Sequence, residues 1–296
     1  MEASADRPVV AAENEEATEA WSGVLFERFV EYRDLVVDGL GRHGERAMSA
    51  HPPRDGDRVL DIGCGFGDTT QRLAALAAPG GEAVGIDVSE PFVRASIAEA
   101  ERAGATRVSF LAGDVQVMEL PGQFDYAFSR MGIMFFANPV AAFRNVHASL
   151  RPGGRLVGVV WRRKLDNPWV HRAEQVVDRY LEEPEETDQP TCGPGPFSMA
   201  DADTVSEQLR IAGFDEISLE RCDLPIKIGH DLDHAVAFNM ALGPAAELIR
   251  LSGTEAERLR PRLESEIREV IEDFDQGPDG VVAPASTWII SATRAG

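Results

Sequence analysis

VLDIGCGFGDTT (residues 59–70) places three glycines, Gly63, Gly65 and Gly67, at alternate positions between an apolar run and a run with helical spacing. Asp61 precedes the glycines and Asp68 follows them. An apolar run that ends in close-set glycines and opens a helix is the strand–turn–helix start of a parallel α/β sheet. There the backbone can approach a ligand at the helix N-terminus. A dinucleotide site wants G-x-G-x-x-G. The last place of that pattern is Asp68 here, and a diphosphate would face two carboxylates. A cationic ligand would not be repelled.

The next strands extend the same crevice. AVGIDV (83–88) ends on Asp87, 20 residues past Gly67, with Val88 beside it. A carboxylate at that strand end accepts both ribose hydroxyls of an adenosine. VSFLAGD (108–114) ends on Asp114, placed to accept an adenine amino group, and the Val115 N–H can bond a ring nitrogen. Three carboxylates at the C-terminal ends of three successive strands describe one crevice. S-adenosylmethionine (SAM), with its sulfonium and ammonium, fits a loop flanked by acidic residues better than a dinucleotide does.

Around these strands the chain alternates. The spacing predicts strands at 58–62, 83–88, 108–114, 124–129 and 155–161, with helices at 68–77, 91–104 and 138–154 between them. Alternation at this spacing is the doubly wound α/β pattern. Residues 1–20 read as a disordered acidic lead-in and 21–50 as a helical cap, followed by the core at 51–161. Residues 162–200 read as a lid insertion with a helix near 169–181. Residues 201–296 read as the rest of the sheet, with a helix at 202–212, strands at 216–222 and 285–294, and a helical insertion at 231–275.

Composition narrows the partners. The 296 residues carry 29 Lys and Arg against 50 Asp and Glu, a net charge of −21. Such a chain repels phosphate backbones and anionic membrane surfaces. Arg162, Arg163 and Lys164 form the one run of three basic residues, which reads as a solvated loop. Three cysteines in no zinc or redox spacing suit a reducing compartment, and nothing approaches the ~20 apolar residues of a membrane span. The expectation is a cytoplasmic protein with no membrane span and no nucleic-acid partner.

Five stretches in order, VLDIGCGFG, GIDVSEPFV, AGDVQVMELP, FDYAFSRMGIMFF and LRPGGRLVGVVW, give the chain over 56–161 a resemblance to class I SAM-dependent methyltransferases. The likeness is to the group related to the ubiquinone/menaquinone C-methyltransferases. It implies a Rossmann-like sheet of seven strands, the last antiparallel. It also implies that Asp61, Gly63, Gly65 and Gly67 hold the methionyl part and Asp87 the ribose. Asp114 and Val115 would take the adenine, and Ser129 would line the cofactor. Phe66 stands where the quinone enzymes carry a small or polar residue.

Methyl transfer asks the protein to align the groups, exclude water and sometimes remove a proton. No metal-ligand cluster is visible; His230 and His234 are four apart but lack an accompanying carboxylate motif. No general base stands out among His43, His51, His147 and His171. Arg130 can reach a cofactor or substrate carboxylate, and Trp161 and Trp169 can wall an apolar pocket. Nucleobase enzymes carry an Asn/Asp-Pro-Pro-aromatic tetrad after the fourth strand, where this chain reads SRMG (129–132). The expected activity is methyl transfer to oxygen or carbon of a small, partly apolar metabolite. Alternatives are another SAM-site transfer, a non-catalytic SAM-binding protein, or a nicotinamide oxidoreductase. The helices outside the core would form a lid or, alternatively, a homodimer interface.

Overall fold

The computed structural model describes residues 9–182, 191 and 193–296. It begins with a 3-10 turn (Ala12–Asn14) and three helices, α1 (Glu15–Ser22), α2 (Val24–Glu31) and α3 (Arg33–Ala50). The expected disorder over 1–20 is therefore corrected for residues 9–20; residues 1–8 lie outside the described residues. The continuous apolar spacing of 21–48 suggested one helix. It is broken at Gly23, whose backbone lies at φ −115° and ψ −109°, and at Tyr32.

The glycine-rich loop joins β1 (Arg58–Ile62) to α4 (Asp68–Leu76). β2 (Glu82–Asp87), α5 (Glu90–Ala103) and β3 (Val108–Ala112) follow, then β4 (Phe124–Arg130), α6 (Pro139–Ser149) and β5 (Leu150–Trp161). Pro91 sits in the first turn of α5 and Gly104 closes it in the left-handed conformation, the usual start and stop of a helix. Helix α6 ends five residues before the expected stop at Gly154, because Leu150 already pairs with Phe124.

Beyond β5 come α7 (Pro168–Val177), α8 (Ala202–Ala212), β6 (Phe214–Gly229), α9 (Leu232–Ala241), α10 (Pro244–Leu251), α11 (Gly253–Ile271) and β7 (Val281–Arg294). Helix α8 has the expected bounds: the Asp201 carboxylate accepts the Thr204 N–H and Gly213 ends it at φ +102°. Strands β6 and β7 run longer than expected and pair with each other from Phe214–Arg294 to Gly229–Val281. The acidic stretch at 182–187 falls almost wholly outside the described residues.

The strands form one sheet in the order β3-β2-β1-β4-β5-β7-β6, with β7 antiparallel to both its neighbours and the others parallel. Chain direction across the sheet reverses between β1 and β4, which opens a crevice at the C-terminal strand ends beside Asp61. Alternate residues feed two apolar layers. Val59, Tyr126 and Phe128 pack on one face with Leu73, while Leu60, Ile62 and Ala127 pack on the other with Phe143 and Val146. Burying each large side chain contributes about 1.5–3 kcal/mol, so the crevice stands on a rigid floor. Among the described residues no helix is long and apolar enough to cross a membrane.

Candidate cofactor and acceptor site

The crevice at the switch point opens into a cavity of about 920 Å³, within the range of small-molecule sites. One end is the glycine loop with the ends of β1, β2 and β3. The other is walled by side chains from the segments flanking the core, among them Trp161, Trp169, Phe197 and Phe238. Trp161 and Trp169 meet edge to face at 6.3 Å, and Trp169 stacks on Phe238 at 5.9 Å.

Each glycine of the loop does something different. Gly63 adopts φ +69° and lies so close to Gly132 that an added Cβ would stand 2.8 Å from its Cα. Gly65 adopts φ +53°, and a Cβ there would meet nothing within 4 Å, so this face is open to the cavity. Gly67 starts α4 at φ +78°, and its missing side chain makes room for Phe110 and Ser96. Gly67 is turned toward Phe110 and Ser96 rather than into the cavity.

The carboxylates divide in the same way. Asp61 is buried; the Thr70 hydroxyl donates to its Oδ2 at 2.6 Å, and its buried Oδ1 has no partner. Burial pushes its pKa up to about 7, against the Thr70 hydrogen bond and the Arg130 charge, with Asp68 and Asp87 adding to the rise. Asp87 accepts the Gly65 N–H on Oδ2 and the Ser89 N–H on Oδ1, each at 3.0 Å. Burial raises its pKa to about 6 despite these two bonds. Val88 and Val115 also line the cavity.

Asp114 lines the cavity but already holds protein donors on both oxygens. Oδ1 accepts the Gln116 N–H at 2.9 Å, and Oδ2 accepts the Ala11 N–H at 3.1 Å and Asn14 Nδ2 at 3.0 Å. Its side chain thus fastens the N-terminal segment over this end of the crevice. Sequence reasoning missed Asn14 because it lies in the stretch read as disordered; its one signal was a capping-type residue ahead of a helical run. Ser129, expected to line the cofactor, sits deeper at the end of β4. It is fully buried, donates to the Ile62 carbonyl at 2.7 Å, and is absent from the cavity wall.

Arg130 lines the cavity and grips Asp68 with both terminal nitrogens, at 2.9 and 3.1 Å. None of His43, His51, His147, His171, His230 or His234 lines it. The basic run 162–164 is not a solvated loop. Arg162 is 6% exposed and pairs with Asp166 and Asp223, and Lys164 reaches the cavity. Among the described residues no group of three or more His, Cys, Asp or Glu is placed to hold a metal ion.

The orphaned Asp61 oxygen, the raised carboxylates and the open face at Gly65 fit a ligand with a cationic centre and a polar body. A doubly wound sheet with such a crevice defines an α/β protein that binds its ligand at the switch point. Residues 53–181 match the family described as methyltransferase domain. The chain is 35% identical over 215 residues to nocamycin O-methyltransferase of Saccharothrix syringae, spanning 69% of this chain and 76% of that one. It is 29% identical over 116 residues to demethylmenaquinone methyltransferase of Staphylococcus carnosus, spanning 38% of this chain but only 46% of that one. In fold it is similar to the YcgJ protein of Bacillus subtilis, with a TM-score of 0.54 at 18% identity over 88% of this chain and 99% of that one. The chain belongs to the SAM-dependent methyltransferases, and its cofactor is SAM.

Proposed function

We propose that the chain transfers the methyl group of SAM to an oxygen of a small, largely apolar metabolite. The observation that carries this is a single cavity that joins the glycine loop to a wall of aromatic side chains. Such a wall suits an acceptor with a ring or hydrocarbon body, and a cavity of this volume suits a small molecule. Oxygen is favoured over carbon by the similarity to an O-methyltransferase along 76% of that protein, against 46% of the carnosus quinone enzyme.

In this reading Asp61 Oδ1 takes the ammonium of SAM and the loop backbone at Gly63 and Gly65 carries the methionyl chain. Asp87 accepts the ribose hydroxyls, and Val115 with Asp114 borders the adenine. SAM supplies an already activated methyl group, so the protein's part is alignment and desolvation. The side chains of α7, α9 and α10 that line the cavity serve as the lid over the acceptor. Incubation with SAM carrying a labelled methyl group and a metabolite extract tests the proposal. Mass spectrometry should find the label on an oxygen of a small molecule; label on a macromolecule, or on carbon alone, would count against it.

A further inference from the structure

The acceptor end of the cavity holds an ion pair set in aromatic surroundings. Lys164 stands on the 3-10 turn after β5 (Lys164–Asp166), and Glu174 lies on α7. Lys164 Nζ and Glu174 Oε1 are 2.5 Å apart, with side chains 36% and 17% exposed, and both residues line the cavity. The Lys164 nitrogen also lies 5.9 Å from the centre of the Phe197 ring. An ammonium carries three donors. Among the described residues Glu174 is its one hydrogen-bond acceptor, and Glu174 Oε2 has no bonded partner. The pair thus keeps unused donors on one member and an unused acceptor oxygen on the other.

Charge around the pair selects between ligand classes. Asp178, Glu182 and Glu247 also line the cavity, Glu247 held by Arg250; of the other lining cations besides Lys164, Arg130 is paired with Asp68 and Lys227 stands on β6. A permanent anion would meet these carboxylates. A neutral hydroxyl would not, and it becomes anionic only as it reacts. Resting on the methyltransferase site and the oxygen acceptor argued above, we infer that Lys164 and Glu174 bind and deprotonate an acidic hydroxyl, phenolic or enolic, on the acceptor. The hydroxyl proton passes to the Glu174 carboxylate, and Lys164 hydrogen-bonds the oxyanion. The new O–C bond forms as the sulfonium S–C bond breaks, leaving a neutral thioether. Sequence reasoning found no base because it searched the histidines, and because Lys164 looked like part of a surface run.

The test uses the full chain loaded with S-adenosylhomocysteine and probed with 4-nitrophenol, whose ionised form absorbs in the visible. Bound dye should ionise about one pH unit below free dye, since a cation beside it favours the anion. Lys164→Met should abolish that shift and weaken dye binding about tenfold or more, and Lys164→Arg should restore the shift. Glu174→Gln should keep the shift, yet slow labelling in the extract assay about a hundredfold, with the residual rate climbing with pH. All three variants should bind S-adenosylhomocysteine as the wild type does by calorimetry. The inference is overturned if 4-nitrophenol does not bind, if it ionises at the same pH bound and free, or if 4-nitroaniline binds as tightly. An unchanged shift in a folded Lys164→Met protein also overturns it. Loss of S-adenosylhomocysteine binding in the wild type would instead strike the cofactor site, and label on carbon would strike the oxygen acceptor.

Discussion

Asp61 and Asp87 hold their protons more tightly than ordinary carboxylates because burial disfavours the charged form. The direction of the linkage follows. In the free protein both groups are protonated at low pH, and a bound cation favours their ionised forms, so binding SAM releases protons near pH 6–7. Affinity should therefore fall as the pH drops from 7.5 to 5.5, by at most about tenfold per pH unit for each group. Calorimetry across that range checks it, and Asp61→Asn should flatten the part centred near pH 7. For the free protein the sign is opposite. With folded pKa values above the unfolded ones, these two groups contribute stability that is fully present below the unfolded carboxylate range, near pH 4. That contribution is lost as the pH rises through about 6 for Asp87 and about 7 for Asp61. Asp87→Ala removes a charged acceptor and should weaken SAM binding by about 1.5–3 kcal/mol. Unchanged affinity in a folded variant would remove Asp87 from the ribose.

The N-terminal segment makes the clearest claim at the scale of elements. Ala11 and Asn14 donate to Asp114, the Ser89 hydroxyl donates to the Trp21 carbonyl at 3.1 Å, and Trp21 meets Phe29 and Phe135 at 5.4 and 4.8 Å. These contacts tie the 3-10 turn, α1 and α2 to the strand ends that border the cavity. Asn14→Ala leaves a buried carboxylate oxygen with one donor fewer and should destabilise the fold by about 1–3 kcal/mol, read from a denaturant midpoint at constant slope. The same change should weaken SAM binding, because the segment covers that end of the cavity. Full stability and full affinity in that variant would show that the segment only rests on the crevice.

For the whole molecule, a charge of −21 sets a field that attracts a cationic cofactor. Transfer from a sulfonium needs no Lewis acid, so turnover should survive exhaustive EDTA treatment; loss of activity restored by Mg²⁺ or Zn²⁺ would reveal a metal requirement. The sheet was legible in the sequence because each strand–helix unit carries its own punctuation: apolar runs of strand length, Pro91 and Gly104 around α5, Asp201 and Gly213 around α8. The placing of Asp61, Asp87 and Asp114 at strand ends beside the cavity was legible for the same reason, since the local pattern already marks those ends. Contacts between distant segments leave no such mark. The three-way break of the cap and the capture of Asp114 by residue 14, 100 positions away, depend on packing that no window of sequence contains. The packing of Gly67 against Phe110 and Ser96, and the bond from Ser129 to the Ile62 carbonyl, are likewise invisible in the local pattern. The sequence by itself determined the succession of strands and helices along the core and the acidic glycine loop, because those follow from periodicity and turn chemistry over a few residues. Only the tertiary structure decided which polar groups face the cavity and which are spent inside the protein. It also brought Lys164 and Glu174 together in the acceptor wall, because a side chain's free valences depend on neighbours that folding alone supplies.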